Sequence, residues 1–303
     1  MKSNILNILA PVDFSEAGKN ALRVAVDLCK QHNAVLHLLY VLENRYIISG
    51  LATDYNRPEM INEINNRART WLYEIYETIV RKNELHVKMH MPVGIPYNEI
   101  CCTADEISSD LIVMGTHGKS GVKEFLVGST TANVIKNAAR SVLTIPAYFE
   151  KGFTEILFPV RPVKGIIDKY QFLQSFLRGV ESAVHIANLY LESEVEERLF
   201  YNDKKELFEM GPLINNTNIT YSKKLYVCNN FAKKVLELSR TLPIDLVIIN
   251  CCLDYNGLDF FVSGYAQQVI NCAKIPVLSF REGFDLFEQT GRGEELTQCS
   301  FNN

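Results

Sequence analysis

Asp110-Leu111-Ile112-Val113-Met114-Gly115-Thr116-His117-Gly118-Lys119-Ser120-Gly121 is followed, after six further residues, by Gly128-Ser129-Thr130. The first part is a short apolar run of branched residues, the pattern of a strand buried on both faces. The glycines after it make a loop, and the periodic stretch from Ser129 to Ala139 makes a helix. Strand, glycine-rich loop and helix start is an arrangement suited to anions. Gly115 and Gly118 let backbone come close to a ligand and permit positive φ. Gly128, Ser129 and Thr130 offer backbone N–H groups at the positive end of a helix, and the two hydroxyls add donors.

The same alternation extends to either side. Ile5 to Val12 is an apolar run that ends in Pro11-Val12-Asp13, and Ser15 is placed to cap a helix carrying Ala17, Ala21, Val24, Ala25 and Leu28 at helical spacing. Val35 to Val41 predicts a second strand. Arg57 to Asn83 predicts an amphipathic helix, and Val87 to Met91 a third strand. Tyr97 to Ser109 predicts a helix, Leu111 to Met114 a fourth strand and Val142 to Ile145 a fifth. Strands alternating with helices imply right-handed parallel βαβ units in a doubly wound α/β sheet. Such sheets bind ligands beyond the carboxyl ends of their strands. Asp13, at the end of the first strand, could there accept a ribose hydroxyl.

The second half echoes the first in order. Ile8-Leu9-Ala10-Pro11-Val12-Asp13 returns as Ile156-Leu157-Phe158-Pro159-Val160-Arg161. Asp110-Leu111-Ile112-Val113-Met114 returns as Asp245-Leu246-Val247-Ile248-Ile249, and Val142-Leu143-Thr144-Ile145 as Val277-Leu278-Ser279-Phe280. Three ordered echoes indicate an internal duplication. The expected units are 1–150 and 151–282, with a loose polar tail over 283–303.

Composition narrows the function. The 303 residues are 47% hydrophobic and 22% charged, which suits folded domains rather than a disordered chain. A formal charge of −4 argues against a phosphate-backbone binder. No apolar run approaches the roughly 18 residues of a membrane span, and Met1-Lys2-Ser3-Asn4 opens no signal peptide. A cytoplasmic location is expected. The eight cysteines form no CxxC, and most are expected to be small buried side chains. His37 is expected to be packed within its strand. Gly118-Lys119-Ser120 ends like a Walker A loop, but Val113 stands where that loop needs its first glycine. Neither a dinucleotide GxGxxG nor a GxSxG nucleophile elbow occurs.

Gly115-x-x-Gly118, nine residues and then Gly128-Ser129 resembles the ATP-binding motif of the universal stress protein family. The opening Ile8-Leu9-Ala10-Pro11-Val12-Asp13-Phe14-Ser15 is similar to it too. The resemblance covers the first half and, more weakly, the second as a tandem copy. It implies two tandem five-stranded parallel sheets of order 3-2-1-4-5, the adenine nucleotide alpha hydrolase-like fold, paired within the chain through their edge strands. It also implies ATP or another adenine nucleotide, with or without Mg. Pro11, Val12 and Asp13 would lie by adenine and ribose, and the Val41 backbone would meet adenine. Met114, Gly115, His117 and Gly118 would line the ribose and phosphate path, while Gly128, Ser129 and Thr130 would hold the phosphates.

The second copy departs from this pattern. Arg161 stands for Asp13, and Asn250, Leu253 and Ser263 stand for Gly115, Gly118 and Gly128. One nucleotide per chain is therefore expected. Three functions remain open at this point: a nucleotide-binding stress or signalling module, a slow ATPase or phosphotransferase, and an interaction protein with a vestigial motif. The sequence shows neither an evident general base nor the paired acidic residues of a phosphoryl-transfer site, which favours the first.

Overall fold

The computed structural model describes residues 5–43, 58–116, 127–160, 166–192, 218–250 and 264–281. In the first half these form β1 (Asn7–Pro11), α1 (Glu16–His32), β2 (Val35–Leu39), β3 (Leu42–Glu43), α2 (Pro58–Asn83) and β4 (Val87–His90). They continue with β5 (Val93–Gly94), α3 (Pro96–Glu106), β6 (Leu111–Gly115), α4 (Ser129–Asn137) and β7 (Ser141–Ile145). The second half supplies β8 (Glu155–Val160), α5 (Ile166–Phe176), β9 (Ser182–Leu191) and β10 (Ile219–Cys228). It ends with α6 (Phe231–Thr241), β11 (Leu246–Asn250), α7 (Gly264–Cys272) and β12 (Val277–Phe280). Arg161, Lys164, Leu253, Ser263 and the expected tail lie outside the described residues.

Ten strands make one sheet in the order β10-β9-β8-β11-β12-β7-β6-β1-β2-β4. Counted along the chain, the main strands of each half run 3-2-1-4-5, all parallel within the half. The halves meet where β12 runs antiparallel to β7, with Leu278 opposite Leu143 and Val277 opposite Thr144. The Thr144 hydroxyl donates to the Val277 carbonyl at 3.1 Å. Leu143 and Leu278 are fully buried, and one apolar cluster runs from Ile145 and Phe149 to Phe158 and Phe176. The connection between the halves is packed rather than loose. Phe149 stacks on Phe153, which tilts against Phe176. Asn20 and Arg23 of α1 both donate to the Phe149 carbonyl, each at 2.7 Å.

The main strands of the first half stand where the apolar runs place them. Three features were not legible there. β3 and β5 form a separate two-stranded parallel sheet. β9 and β10 are ten residues each, and β10 is, among the described strands, an edge strand whose Lys223, Lys224 and Leu225 face solvent. Its mixed polarity hid it. Cys29 and Cys228 are buried as expected, but Cys101 and Cys102 are half-buried and Cys272 is exposed, which corrects the general expectation for the cysteines. Burial pushes the Cys29 thiol up to about 12, so it is an inert apolar filler.

Both halves use one device to fix the central strand. The Asp110 carboxylate accepts from the backbone N–H groups of Leu6 and Asn7 at 2.8 and 2.9 Å. The Asp245 carboxylate accepts from those of Thr154 and Glu155 at 2.9 and 3.1 Å. Each aspartate opens the fourth strand of its half and pins the start of the first. The echoed aspartates of the sequence thus have a shared mechanical reason.

Two packing details position the strand ends. Gly115 ends β6 against the first turn of α1. A Cβ built on it would stand 2.7 Å from the Ala17 carbonyl carbon and 2.8 Å from the Gly18 nitrogen, distances that no side chain tolerates. The second detail is a histidine pair, His37 buried and His90 half-buried. His37 Nδ1 and His90 Nε2 lie 2.9 Å apart, and His37 Nε2 reaches Asn7 Oδ1 at 3.2 Å. Two ring nitrogens this close can share only one hydrogen between them, so both rings cannot be charged together. Burial pushes the His37 imidazole down to about 4, helped by His90 and Lys88. Burial also lowers His90, with Glu106 opposing that shift and Lys88 adding to it.

The pair makes stability acid-sensitive. The folded values lie below the ordinary imidazole value of about 6.5, so the fold binds fewer protons than the unfolded chain. The contribution is fully present above that value and is lost as pH falls toward 4. At about 1.36 kcal/mol per unit, His37 alone accounts for roughly 3 kcal/mol. Urea midpoints at constant ionic strength should fall between pH 6.5 and 4, and much less so in His37→Leu. Equal slopes for both proteins would remove this account. Gly115→Ala should cost about 1–3 kcal/mol by overpacking, read from the same midpoint at neutral pH. An unchanged midpoint would show that α1 can lift off β6 freely.

Candidate functional site

The chain leaves β1 at Pro11 but keeps register one step further, because the Val12 N–H donates to the Leu39 carbonyl at 2.8 Å. Val12 is buried. Asp13 follows and turns the chain. Its Oδ1 accepts from the Ser15 N–H at 3.1 Å and from the Ser15 hydroxyl at 2.6 Å. That hydroxyl in turn accepts from the Gly18 N–H at 2.9 Å, capping α1 as its position suggested. A Cβ on Gly18 would fall on the Asp13 carboxylate. The carboxylate is therefore tied to the start of α1, where the helix dipole favours negative charge. Its Oδ2 takes no part in these bonds.

Phe14, next in the chain, has φ 66°, a left-handed conformation uncommon for a bulky residue. Ring packing holds it there. Its ring centroid lies 3.4 Å from that of Trp71 on α2 and 5.3 Å from that of Tyr40, just beyond β2. Phe14, Tyr40 and Trp71 thus form an aromatic wall beside the carboxyl ends of β1 and β2. Sequence reasoning passed over these three. The available signal was an aromatic residue directly after Asp13, together with the single tryptophan of the chain one place before the apolar Leu72.

The other wall is β6 and α4. The Thr116 N–H donates to the Ile145 carbonyl at 3.0 Å, extending the β6–β7 pairing. The Gly128 N–H then donates to the Thr116 carbonyl at 2.7 Å, so the chain returns to the point where it left the sheet. The buried Thr131 hydroxyl donates to the Gly115 carbonyl at 2.8 Å and fastens the first turn of α4 to the strand end. His117 and Gly118 lie between these points and outside the described residues. Thr131 was another omission; its hydroxyl is a backbone clamp one residue past the expected Ser129-Thr130 pair.

Three local expectations are corrected by this geometry. The Gly128 N–H is already bonded to Thr116 and is not a free donor. Gly128 has φ −60°, so it needs no positive φ, and among the described glycines Gly179 has one. Gly115 brings backbone close to α1 rather than to open space. Ser129 and Thr130 occupy the first turn of α4, where backbone N–H groups have no partner within the helix. Ser129 is exposed and Thr130 half-buried. Met114 is buried in the core shared with Ile112 and Val134, so only its backbone can border a ligand. Val41 is half-buried just past β2.

The strand ends of β1, β2 and β6 thus meet one carboxylate, one aromatic wall and one helix start. The carboxylate accepts hydroxyl donors, aromatic faces stack on a flat ring, and the helix start suits an anion. Among the described residues no three His, Cys, Asp or Glu side chains gather as a metal site. No helix among them is long and apolar enough to cross a membrane.

Residues 4–146 match the model of the universal stress protein family. The chain is 34% identical over 154 residues to universal stress protein MJ0577 of Methanocaldococcus jannaschii, an alignment spanning 46% of this chain and 93% of that one. It is 30% identical over 138 residues to universal stress protein MJ0531 of the same organism, spanning 46% and 80%. A universal stress protein structure from Archaeoglobus fulgidus superposes with a TM-score of 0.73 at 17% identity, covering 93% of this chain and all of that one, a likeness of fold. With the family model over its first half and a relative matched along nearly its whole length, this chain belongs to the universal stress protein family.

Proposed function

We propose that the first half binds one adenine nucleotide, ATP being the best fit, and that the chain acts as a nucleotide-responsive module in stress response or signalling. The observation that carries this is the convergence of Asp13 and the α4 start on the carboxyl ends of β1 and β6. Asp13 Oδ2 would accept a ribose hydroxyl, and the first-turn N–H groups at Ser129 and Thr130 would meet phosphate. Backbone at Val12, Val41 and Met114 would border the base and sugar, with Pro11 and Gly115 behind them. His117 and Gly118 belong to the same reading as part of the phosphate path. Mg has no dedicated cluster to bind among the described residues beyond Asp13, so no step is assigned to it.

The units proposed are 1–150 for nucleotide and 151–282 as a divergent copy. Asn250 supports the difference. It stands where β6 ends in Gly115, and among the described residues its buried Oδ1 has no hydrogen-bond partner. A side chain there is incompatible with an approach as close as that of α1 to Gly115 in the first half. Turnover is not needed for this reading, and phosphate release in the same samples reports on the slow ATPase alternative.

Calorimetry with ATP should give about one nucleotide per chain. Asp13→Ala should lose about 1.5–3 kcal/mol, the usual worth of a hydrogen bond to a charged group, or roughly ten- to a hundred-fold in affinity. A folded Asp13→Ala protein with unchanged affinity would reduce Asp13 to a helix-capping role. Two equivalent sites per chain would overturn the asymmetry.

A further inference from the structure

Away from the nucleotide crevice, three neighbouring strands of the second half align Glu155, His185 and Ser222. On β9, His185 is in register with Leu157 of β8 on one side and with Ser222 of β10 on the other. Glu155 lies two residues before Leu157, which puts it diagonally across on the same face. The side chains complete a chain of contacts. His185 Nε2 is 2.7 Å from Glu155 Oε2, and His185 Nδ1 is 3.0 Å from the Ser222 hydroxyl. His185 and Glu155 are partly buried, with side-chain exposures of 25% and 35%, and Ser222 faces solvent.

The hydrogens follow from the partners. An ionised carboxylate only accepts, so the hydrogen of a neutral imidazole resides on Nε2. Nδ1 is then an acceptor, and the Ser222 hydroxyl donates to it. This is the nucleophile, base and orienting acid arrangement of serine acyl transfer, here with the two ring nitrogens in exchanged roles. Strand pairing holds all three, so the geometry rests on the sheet rather than on a loop. Among the described residues β10 is the outermost strand, and an edge strand turns alternate backbone N–H groups outward, donors that can face a developing oxyanion.

We propose that Ser222 is a nucleophile activated by His185 and Glu155 that accepts acyl groups from activated esters. Ser222 Oγ attacks the ester carbonyl as its proton passes to His185 Nδ1. The tetrahedral intermediate expels the alcohol, which takes that proton, and an acyl-serine ester remains. Water then attacks the acyl carbon, losing its proton to Nδ1, and Ser222 Oγ leaves and recovers it. The sum is ester plus water to acid plus alcohol, and it draws on nothing at the nucleotide site.

The full-length protein treated with p-nitrophenyl acetate should carry an acetyl group on Ser222, located by peptide mass mapping. Acetylation there should outpace that of the exposed Ser129 by about a hundred-fold, the lower range of general-base assistance. His185→Gln should lose about that factor, and Glu155→Gln a smaller one, with folding checked by circular dichroism. Ser222→Ala should abolish the burst of nitrophenolate. Acetyl groups confined to lysines, or Ser222 reacting no faster than Ser129 in the unaltered chain, would overturn the proposal whether or not the variants fold. So would an unchanged Ser222 rate in a folded His185→Gln protein.

Discussion

Nothing larger than hydrogen fits between Gly115 and the backbone of Ala17 and Gly18. That contact sets how closely α1 lies on the end of β6, and the rest of the crevice is hung from it. α1 starts where Ser15 caps it, and the same hydroxyl holds Asp13 in place. From the opposite side, Thr131 ties the start of α4 to the Gly115 carbonyl. One residue therefore fixes, through backbone alone, the distance between the carboxylate and the helix start. Substitution at Gly115 would act on the site by moving its walls rather than by removing a ligand contact.

The antiparallel seam between β7 and β12 has a second consequence. Each half is parallel, so joining them antiparallel puts their carboxyl strand ends on opposite margins of the common sheet. The strand-end crevice of the first half, where we propose the nucleotide, and its counterpart in the second cannot face each other. Glu155, at the amino end of β8, does lie on the margin of the first-half crevice. Seven strand spacings separate β10 from β1, however, or roughly 30 Å at the usual spacing. The proposed serine relay and the proposed nucleotide site thus stand far apart on one shared sheet.

The sequence was most informative where one physical demand dominates. Apolar strands buried on both faces leave uninterrupted runs, so β1, β2, β6 and β7 were plain. A strand exposed on both faces along its middle, as β10 is at Lys223 and Lys224, carries no such run and was missed. Asp13, Gly115 and Gly128 stood out because charge and glycine are conspicuous at strand and helix ends. The roles of the two glycines were not legible. Whether a glycine makes room for a ligand or for a neighbouring helix depends on what packs against it, which no local pattern encodes. The aromatic wall of Phe14, Tyr40 and Trp71 was invisible for the same reason, since its members meet from three separate segments.

The two halves differ in an instructive way. The aspartate that pins the central strand is present in both, as Asp110 and Asp245, because two backbone N–H groups at the strand start need acceptors in either half. The glycine that brings helix against strand is present in one alone. Asn250 in its place carries a buried carbonyl oxygen without a partner among the described residues, a state that costs free energy unless a donor reaches it. Requirements of the sheet itself are thus met twice, while the requirement of the crevice is met once. A fold that repeats its framework but not its cavity can hold different chemistry in each half, and the breadth of the common sheet, seven strand spacings from β10 to β1, keeps those chemistries apart.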